Sequence, residues 1–322
     1  MRGALAVLVL ALALAFTRGA AAQSFPARTV RIVVPYSVGL GPDVVLRTVA
    51  EALAQKWKQS VIIENRPGAS GVVALSEVKK TPADGHTLFL GDAGSLAVAP
   101  YLHANLPYDP VRDFVPVTTI FRATFFLWTA TGSRFASLSD MLREAWANPG
   151  RVTYASFGSG HVSELLMESF AQRAGIELLA VRFKDGGQMI GSAANGDIDV
   201  LPLSFNSVAG MVRGGKLRPL AIGAARRSPD FPGVATLEEA GGPAMEMTPW
   251  AALLAVTGTP PSVVETIRRD VRAVLATPEV RRRIEELGFD VLGSTPRELT
   301  DLMRAESDLY ASLVRAGRIR SD

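Results

Sequence analysis

The stretch Arg31-Ile-Val-Val-Pro-Tyr-Ser-Val-Gly-Leu-Gly-Pro-Asp43 decides how this chain is read. Val30 to Val34 form a short, largely apolar run of the kind covered on both faces in a parallel sheet. Pro35 breaks the run, and Gly39 and Gly41 open a loop whose backbone can take angles and close approaches barred to other residues. A helix is expected from Pro42 to Trp57, with Val45, Val49 and Leu53 on its buried stripe. Its first N–H groups have no partner inside the helix and point back at the loop. A carboxylate placed there meets several donors and a positive dipole end without needing a lysine or arginine. The same pattern also fits a strand-loop-helix joint that binds nothing, and the loop alone does not choose between the two.

The unit repeats downstream. Strand Val61 to Glu64, the turn Asn65 to Gly71 and a helix from Val72 to about Lys80 follow. Then come the turn Thr81 to Gly85, strand Thr87 to Leu90 and the loop Gly91-Asp-Ala-Gly-Ser95. Three such units argue for a parallel α/β sheet with its loops gathered at the strands' carboxyl ends, where a binding crevice is expected. Leu106 to Phe114 interrupts the alternation, and the extended segments Val115 to Ile120 and Phe125 to Thr129 mark a crossing to a second domain. A fresh series follows there: a helix from Leu138 to Asn148 opened by Ser137 and Asp140, strand Val152 to Ala155, loop Ser156 to Gly160 and a helix closed by Gly175. Strands Leu178 to Val181, Ile198 to Leu203 and Leu217 to Ile222 complete a second Rossmann-like domain. From Trp250 the chain makes one more strand and ends in three helices. Each is expected to open on a Thr cap and a Pro at the first helical position, at Thr259-Pro260, Thr277-Pro278 and Thr295-Pro296.

The first residues stand apart from this fold. Arg2, the apolar run Leu5 to Phe16 and the small residues Ala20-Ala21-Ala22 have the pattern of a signal peptide cleaved near Ala22, which places the protein in the periplasm. The run falls short of the ~18 to 20 apolar residues that a membrane span requires. Removing residues 1–22 takes away Arg2 and Arg18 and no acid, so the formal charge falls from +3 to +1. So small a balance attracts no polyanion, and nucleic acid is not expected as a partner. The absence of cysteine excludes disulfides and thiol chemistry, and 48% hydrophobic residues supply ample core.

Enzyme chemistry finds little support. His86, His103 and His161 have no metal-spaced partners, so neither a metal nor a cofactor is expected. Gly158-Ser-Gly160 lacks the preceding glycine of a nucleophile elbow, and the glycines at 39 and 41 lack the third of a dinucleotide fingerprint. A periplasmic hydrolase is the alternative from a different class.

The ordered segments together resemble a known family. They are Ile32-Val-Val-Pro-Tyr36 with Gly39 and Asp43, Val61-Ile-Ile-Glu-Asn-Arg-Pro-Gly-Ala69, Pro82-Ala-Asp-Gly-His-Thr-Leu88 and Leu106-Pro-Tyr-Asp-Pro with Arg112-Asp-Phe. Further along stand Pro149-Gly150, Tyr154-Ala-Ser156, Gly215-Lys-Leu-Arg218, Thr236-Leu-Glu-Glu-Ala-Gly241 and Gly258-Thr-Pro260. Their order over essentially the whole chain resembles the periplasmic solute receptors of tripartite tricarboxylate transporters, the Bug proteins. The resemblance implies a type II-like periplasmic binding protein: two Rossmann-like domains, a ligand cleft between them and two crossovers. The domains would comprise residues 23–124, 125–249 and a return to the first over 250–322. It implies a monomer that closes on a small carboxylated solute and delivers it to membrane transporter subunits, with a membrane sensor as the other partner weighed.

The site is carried over from the resemblance as well. It implies contacts from Tyr36, Ser37, Val38, Gly39, Leu40, Gly41 and Asp43 in the first loop, and from Ala93 after the third strand. Ser156, Gly158, Ser159, Gly160 and His161 would face them, with Lys184 and Asn206 reading the rest of the ligand. Asp43 is expected to order the loop rather than touch an anion it would repel. Four departures from the family pattern bear on selectivity: Leu40 between the loop glycines, His161 where Ser or Thr is commoner, Glu164 where a His is usual, and Ala180-Val-Arg-Phe183 in place of a His-Val-Pro-Tyr type segment. Arg182 is expected to pair on the surface with Glu177 or Asp185, the alternative being a second carboxylate of the ligand.

Overall fold

The computed structural model describes residues 25–319, so the expected signal peptide lies outside the described residues. The first sheet is built from β1 (Val30–Val34), β2 (Val61–Asn65), β3 (Thr87–Asp92), β4 (Phe114–Ala123), β10 (Trp250–Val256) and β11 (Phe289–Val291), in the order β11-β4-β10-β3-β1-β2. The strands of the three repeated units pair in parallel, with Ile32 opposite both Ile63 and Leu88. Both faces of β1 are covered; Ile32, Val33 and Val34 have no exposed surface, as their unbroken apolar run requires.

The expected parallel sheet extends no further than β1 to β3. β10 runs antiparallel to β3 and β4, and β11 antiparallel to β4 at the edge. Strand β10 arrives from the other half of the molecule rather than through a crossover helix, so nothing forces it parallel. Its seven residues Trp-Ala-Ala-Leu-Leu-Ala-Val are all buried.

The second half holds β5 (Phe126–Ala130), β6 (Thr153–Ser156), β7 (Leu179–Arg182), β8 (Leu201–Leu203) and β9 (Leu217–Ile222). β6 and β7 pair in parallel, whereas β5 lies antiparallel between β8 and β9. A single parallel bridge between Tyr154 and Val200 joins the two groups. Trp128 locks this half, its indole donating to the Leu203 carbonyl at 2.9 Å from a fully buried position. The chain thus leaves the first sheet between β4 and β5 and returns at β10.

The helices in chain order are α1 (Gly41–Trp57), α2 (Val72–Val78), α3 (Ala99–Leu102), α4 (Leu138–Ala147), α5 (Val162–Ala174), α6 (Gly186–Asn195), α7 (Phe205–Arg213), α8 (Pro261–Leu275), α9 (Pro278–Glu286) and α10 (Pro296–Arg315). Of the three Thr-Pro starts, only Thr295 caps its helix with a side-chain hydrogen bond, and Glu298 completes a capping box there. The Thr259 and Thr277 hydroxyls instead donate back to Val256 and Val274 carbonyls, and α8 begins one residue late, at Pro261. A hydroxyl that closes the preceding turn is no longer turned toward the next helix. α10 packs on the first sheet and also touches α5 of the other half. Among the described residues no helix is long and apolar enough to cross a membrane.

Candidate functional site

β1 ends at Val34, and the loop that follows is tied down by one buried acid. Asp43, with no exposed surface, accepts the Gly39 N–H at 2.9 Å, the Asn65 amide at 2.8 Å and two Arg47 bonds at 3.0 Å. Burial pushes its carboxyl upward, but the bonds from Arg47, Asn65 and Gly39 outweigh that and hold it below the ordinary carboxylate range. Asp43 therefore orders the loop, as its place in the first helical turn implied. Gly39 takes a φ of +85° with open space around it. Gly41 is glycine for another reason: a Cβ there would lie 2.7 Å from the Phe289 ring of β11. Ser37, Val38 and Leu40 stand exposed on the loop.

β3 brings a second element to the same place. Tyr36 donates its hydroxyl to Asp92 at 2.6 Å, and Asp92 also accepts the Ser95 N–H and hydroxyl at 3.0 and 2.9 Å. Ala93 is buried beside them. The sequence reading named the loop Gly91 to Ser95 but not Asp92 itself, whose signal was an acid three residues before Ser95 at a strand's carboxyl end.

The opposing loop follows β6. Its Gly160 N–H donates to Glu164 at 2.8 Å, and Glu164 takes two bonds from Arg182, at 3.1 and 2.7 Å. The expected Arg182 pairing is thus corrected: β7 lies beside β6 and carries the guanidinium to the buried Glu164 at the start of α5, not to Glu177 or Asp185. Burial raises the Glu164 carboxyl above its ordinary range despite Arg182 and Gly160. His161 caps α5, its Nδ1 accepting the Ser163 N–H at 3.2 Å. Burial pushes the imidazole down to about 4, against the pull of the Asp92 charge. Ser156 lies fully buried below, its hydroxyl 3.2 Å from that of Ser163.

The loop after β6 belongs to a different sheet from the turns after β2 and β3, yet meets them. Ser70, in the turn before α2, donates to the Ser159 carbonyl at 3.0 Å. A Cβ on Gly94 would sit 2.8 Å from the Gly160 carbonyl oxygen, and one on Gly160 would sit 2.4 Å from Leu102. The structure thus gathers Tyr36, Ala93, Gly160 and His161 around Asp92, with Ser159 bonded to Ser70 at the edge. Asn206 donates to the Glu286 carbonyl at 3.2 Å beside Gly288, the residue before the Phe289 that meets Gly41, and Lys184 stands exposed. Among the described residues no group of three or more His, Cys, Asp or Glu side chains is placed to hold a metal ion.

Two α/β halves, joined by two passages of chain and meeting through glycine loops at helix N-termini, define a two-lobed solute-binding protein. The chain belongs to the tripartite tricarboxylate transporter family receptors, whose family model matches residues 45–318. Protein BugT of Bordetella pertussis is 31% identical over 299 residues, covering 91% of this chain and 90% of its own. Among solved structures, R. palustris Rpa4515 with adipate is 29% identical with a TM-score of 0.82, covering 92% of this chain and 100% of its own. MatC (Rpa3494) from Rhodopseudomonas palustris with bound malate is 29% identical with a TM-score of 0.80, covering 90% of this chain and 100% of its own.

Proposed function

We propose that this receptor captures a small carboxylic acid between the loops Tyr36–Asp43 and Ser156–His161 and delivers it to the membrane subunits of a tripartite transporter. The observation that carries the reading is that the loop after β6 meets the first half of the chain at Ser70 and Gly94, beside the Asp92 to which Tyr36 of the first loop donates. Each loop presents backbone N–H groups and a positive helix end, which bind an anion with neutral dipoles and release it again without breaking an ion pair. The acids in both loops are paired with arginines, Asp43 with Arg47 and Glu164 with Arg182, so they weaken the loops' appeal to an anion less than free carboxylates would. The adipate and malate of the two solved neighbours make dicarboxylates the first candidates. Closure of the lobe of residues 125–249 on the lobe of residues 23–124 and 250–322 would bury the solute. The N-terminal pattern supports a periplasmic location with cleavage near Ala22.

Thermal melting of the purified protein against mono-, di- and tricarboxylates tests the reading. A ligand at about one hundred times its Kd adds about 2.7 kcal/mol, a rise of several degrees. A rise confined to one structural group of acids supports capture and names the substrate class. Protein that is folded and free of co-purified solute, yet answers to no acid, refutes it.

A further inference from the structure

Five acids are buried among the described residues: Asp43, Asp92, Glu164, Glu168 and Asp270. Four of them meet a cation. Asp43 pairs with Arg47 at 3.0 Å, Glu164 with Arg182 at 2.7 Å, Glu168 with Arg318 at 3.5 Å and Asp270 with Arg269 at 3.1 Å. Asp92 is the exception among them. The groups that donate to its carboxylate, the Tyr36 hydroxyl and the N–H and hydroxyl of Ser95, are all neutral. His161 feels the Asp92 charge, yet burial keeps its imidazole uncharged near neutral pH. Burying a carboxylate without a counter-charge is costly, so an acid that no described side chain offsets calls for a partner from outside the chain.

The position of Asp92 says what that partner is. It ends β3, at the carboxyl edge of the parallel strands, and it stands where the two halves of the chain meet. Its Oδ1 takes both Ser95 bonds, while Oδ2 takes only the Tyr36 hydroxyl, from the residue that opens the first loop. A carboxylate has about four lone-pair sites, two on each oxygen, so Oδ2 can accept one more donor. A Cβ on Gly94 would lie 3.4 Å from Oδ1 and 2.8 Å from the Gly160 carbonyl oxygen. Gly94 thus keeps the space between Asp92 and the loop after β6 clear of a side chain.

We propose that Asp92 selects, among carboxylic acids, one that also carries an ammonium group, and binds that group through Oδ2. The inference rests on the capture reading above and narrows it to amino acids. The loop N–H groups take the carboxylate and Asp92 takes the ammonium, so the two ends of one solute find opposite partners. Asp92 thereby gains the pairing that the other four buried acids already have. An acid without an amino group brings only negative charge beside a buried carboxylate that no arginine offsets, and like charges so placed disfavour the wrong ligand. Asp92 makes this demand of mono- and dicarboxylic skeletons alike.

Calorimetry on the purified protein tests this with matched pairs: L-aspartate against succinate, L-glutamate against glutarate, 4-aminobutyrate against butyrate, and the other common amino acids against the same acids without the amino group. Adipate, malate and citrate are added as further acids without one. The expected result is that the tightest ligand carries an ammonium and binds at least about tenfold more tightly than its counterpart. Asp92→Asn should weaken that ligand at least about tenfold and leave its counterpart unchanged or tighter. If Asp92 only held Tyr36 and Ser95 in place, the substitution would weaken both alike. Should Asp92→Asn not fold, the wild-type pairs decide alone. The inference is overturned if the tightest ligand has no cationic group, or if Asp92→Asn lowers both members of its pair equally; capture of a carboxylic acid stands in either case. Failure of every acid to bind refutes the capture reading itself, and this inference with it.

Discussion

Glu164 holds the Gly160 amide hydrogen at 2.8 Å from the third position of α5, and the first lobe solves the same problem in the same way. Asp43, at the third position of α1, holds the amide of Gly39, two residues before that helix begins. In each loop an acid on the first turn reaches back to the glycine preceding the cap, and an arginine neutralises it. The backbone of each loop is thereby fixed before a solute arrives, and pre-organised donors lose less freedom when they bind.

Removing either acid should loosen its loop. Glu164→Ala leaves the Gly160 N–H without its acceptor and removes the Arg182–Glu164 pair, and a loss of about 1 to 3 kcal/mol is expected from a urea melt. Arg182 keeps contact with water, so the cost stays below that of a wholly buried charge. Asp43→Asn should cost less, because an amide oxygen can still accept from Gly39. Equal stability of the wild type and Glu164→Ala would show that the carboxylate does not order the loop.

Alanine at Gly39 and at Gly160 separates backbone strain from crowding. Both glycines have positive φ, +85° and +69°, so each substitution carries a strain of about 1 kcal/mol. Gly39 has open space around it, whereas a methyl group on Gly160 would lie 2.4 Å from the side-chain end of Leu102, the last residue of α3 in the other lobe. Gly39→Ala is expected to lose only the strain and to keep solute binding within severalfold. Gly160→Ala adds a contact that the end of the Leu102 side chain must turn away to relieve, so it should lower affinity severalfold more than Gly39→Ala does, measured by calorimetry with whichever acid raises the melting temperature.

What the sequence revealed followed from local rules. The apolar run at Val30 to Val34, the glycines after it and the acid at Asp43 each have a short-range cause, and strand, loop and cap were legible from them. Glu164 was visible as a departure from the family pattern, but its partner was not. Arg182 reaches it only because β7 lies beside β6, a pairing that spacing along the chain does not encode. Strand β11 is three residues long and has no alternation to betray it, although its Phe289 explains Gly41. Asp92 was hidden for a similar reason: its partner Tyr36 is 56 residues away.

His161 should stay uncharged as it works. Its folded-state value lies below the ordinary 6.5, at about 4, so its neutral form is the one the fold favours. The associated stability is present above about pH 6.5 and is lost as pH falls toward 4. Affinity for the identified acid should therefore change by less than about twofold between pH 8 and 6, in a range where dicarboxylates remain ionised. A steep gain in affinity at pH 6 that disappears in His161→Ala would mean that the imidazole binds as a cation.

Glu306 gives stability the opposite dependence on pH. Its folded-state value is raised from 4.5 to about 7 by burial, so the folded protein holds a proton that the unfolded chain has given up. Below about pH 4.5 both states are protonated and the full stability is present. Stability should fall as pH rises from about 4.5 to about 7, by on the order of 3 kcal/mol, and level off above. Glu164 and Glu168 are raised in the same sense, while Asp43 is lowered and acts the other way, losing stability as pH falls. The net curve mixes these groups, so the measurement is a comparison of urea midpoints for wild type and Glu306→Gln across pH 4 to 8. The difference between the two curves isolates Glu306: the variant should gain on the wild type through that window. Parallel curves would mean that Glu306 titrates as an ordinary exposed carboxylate and that its surroundings are wet.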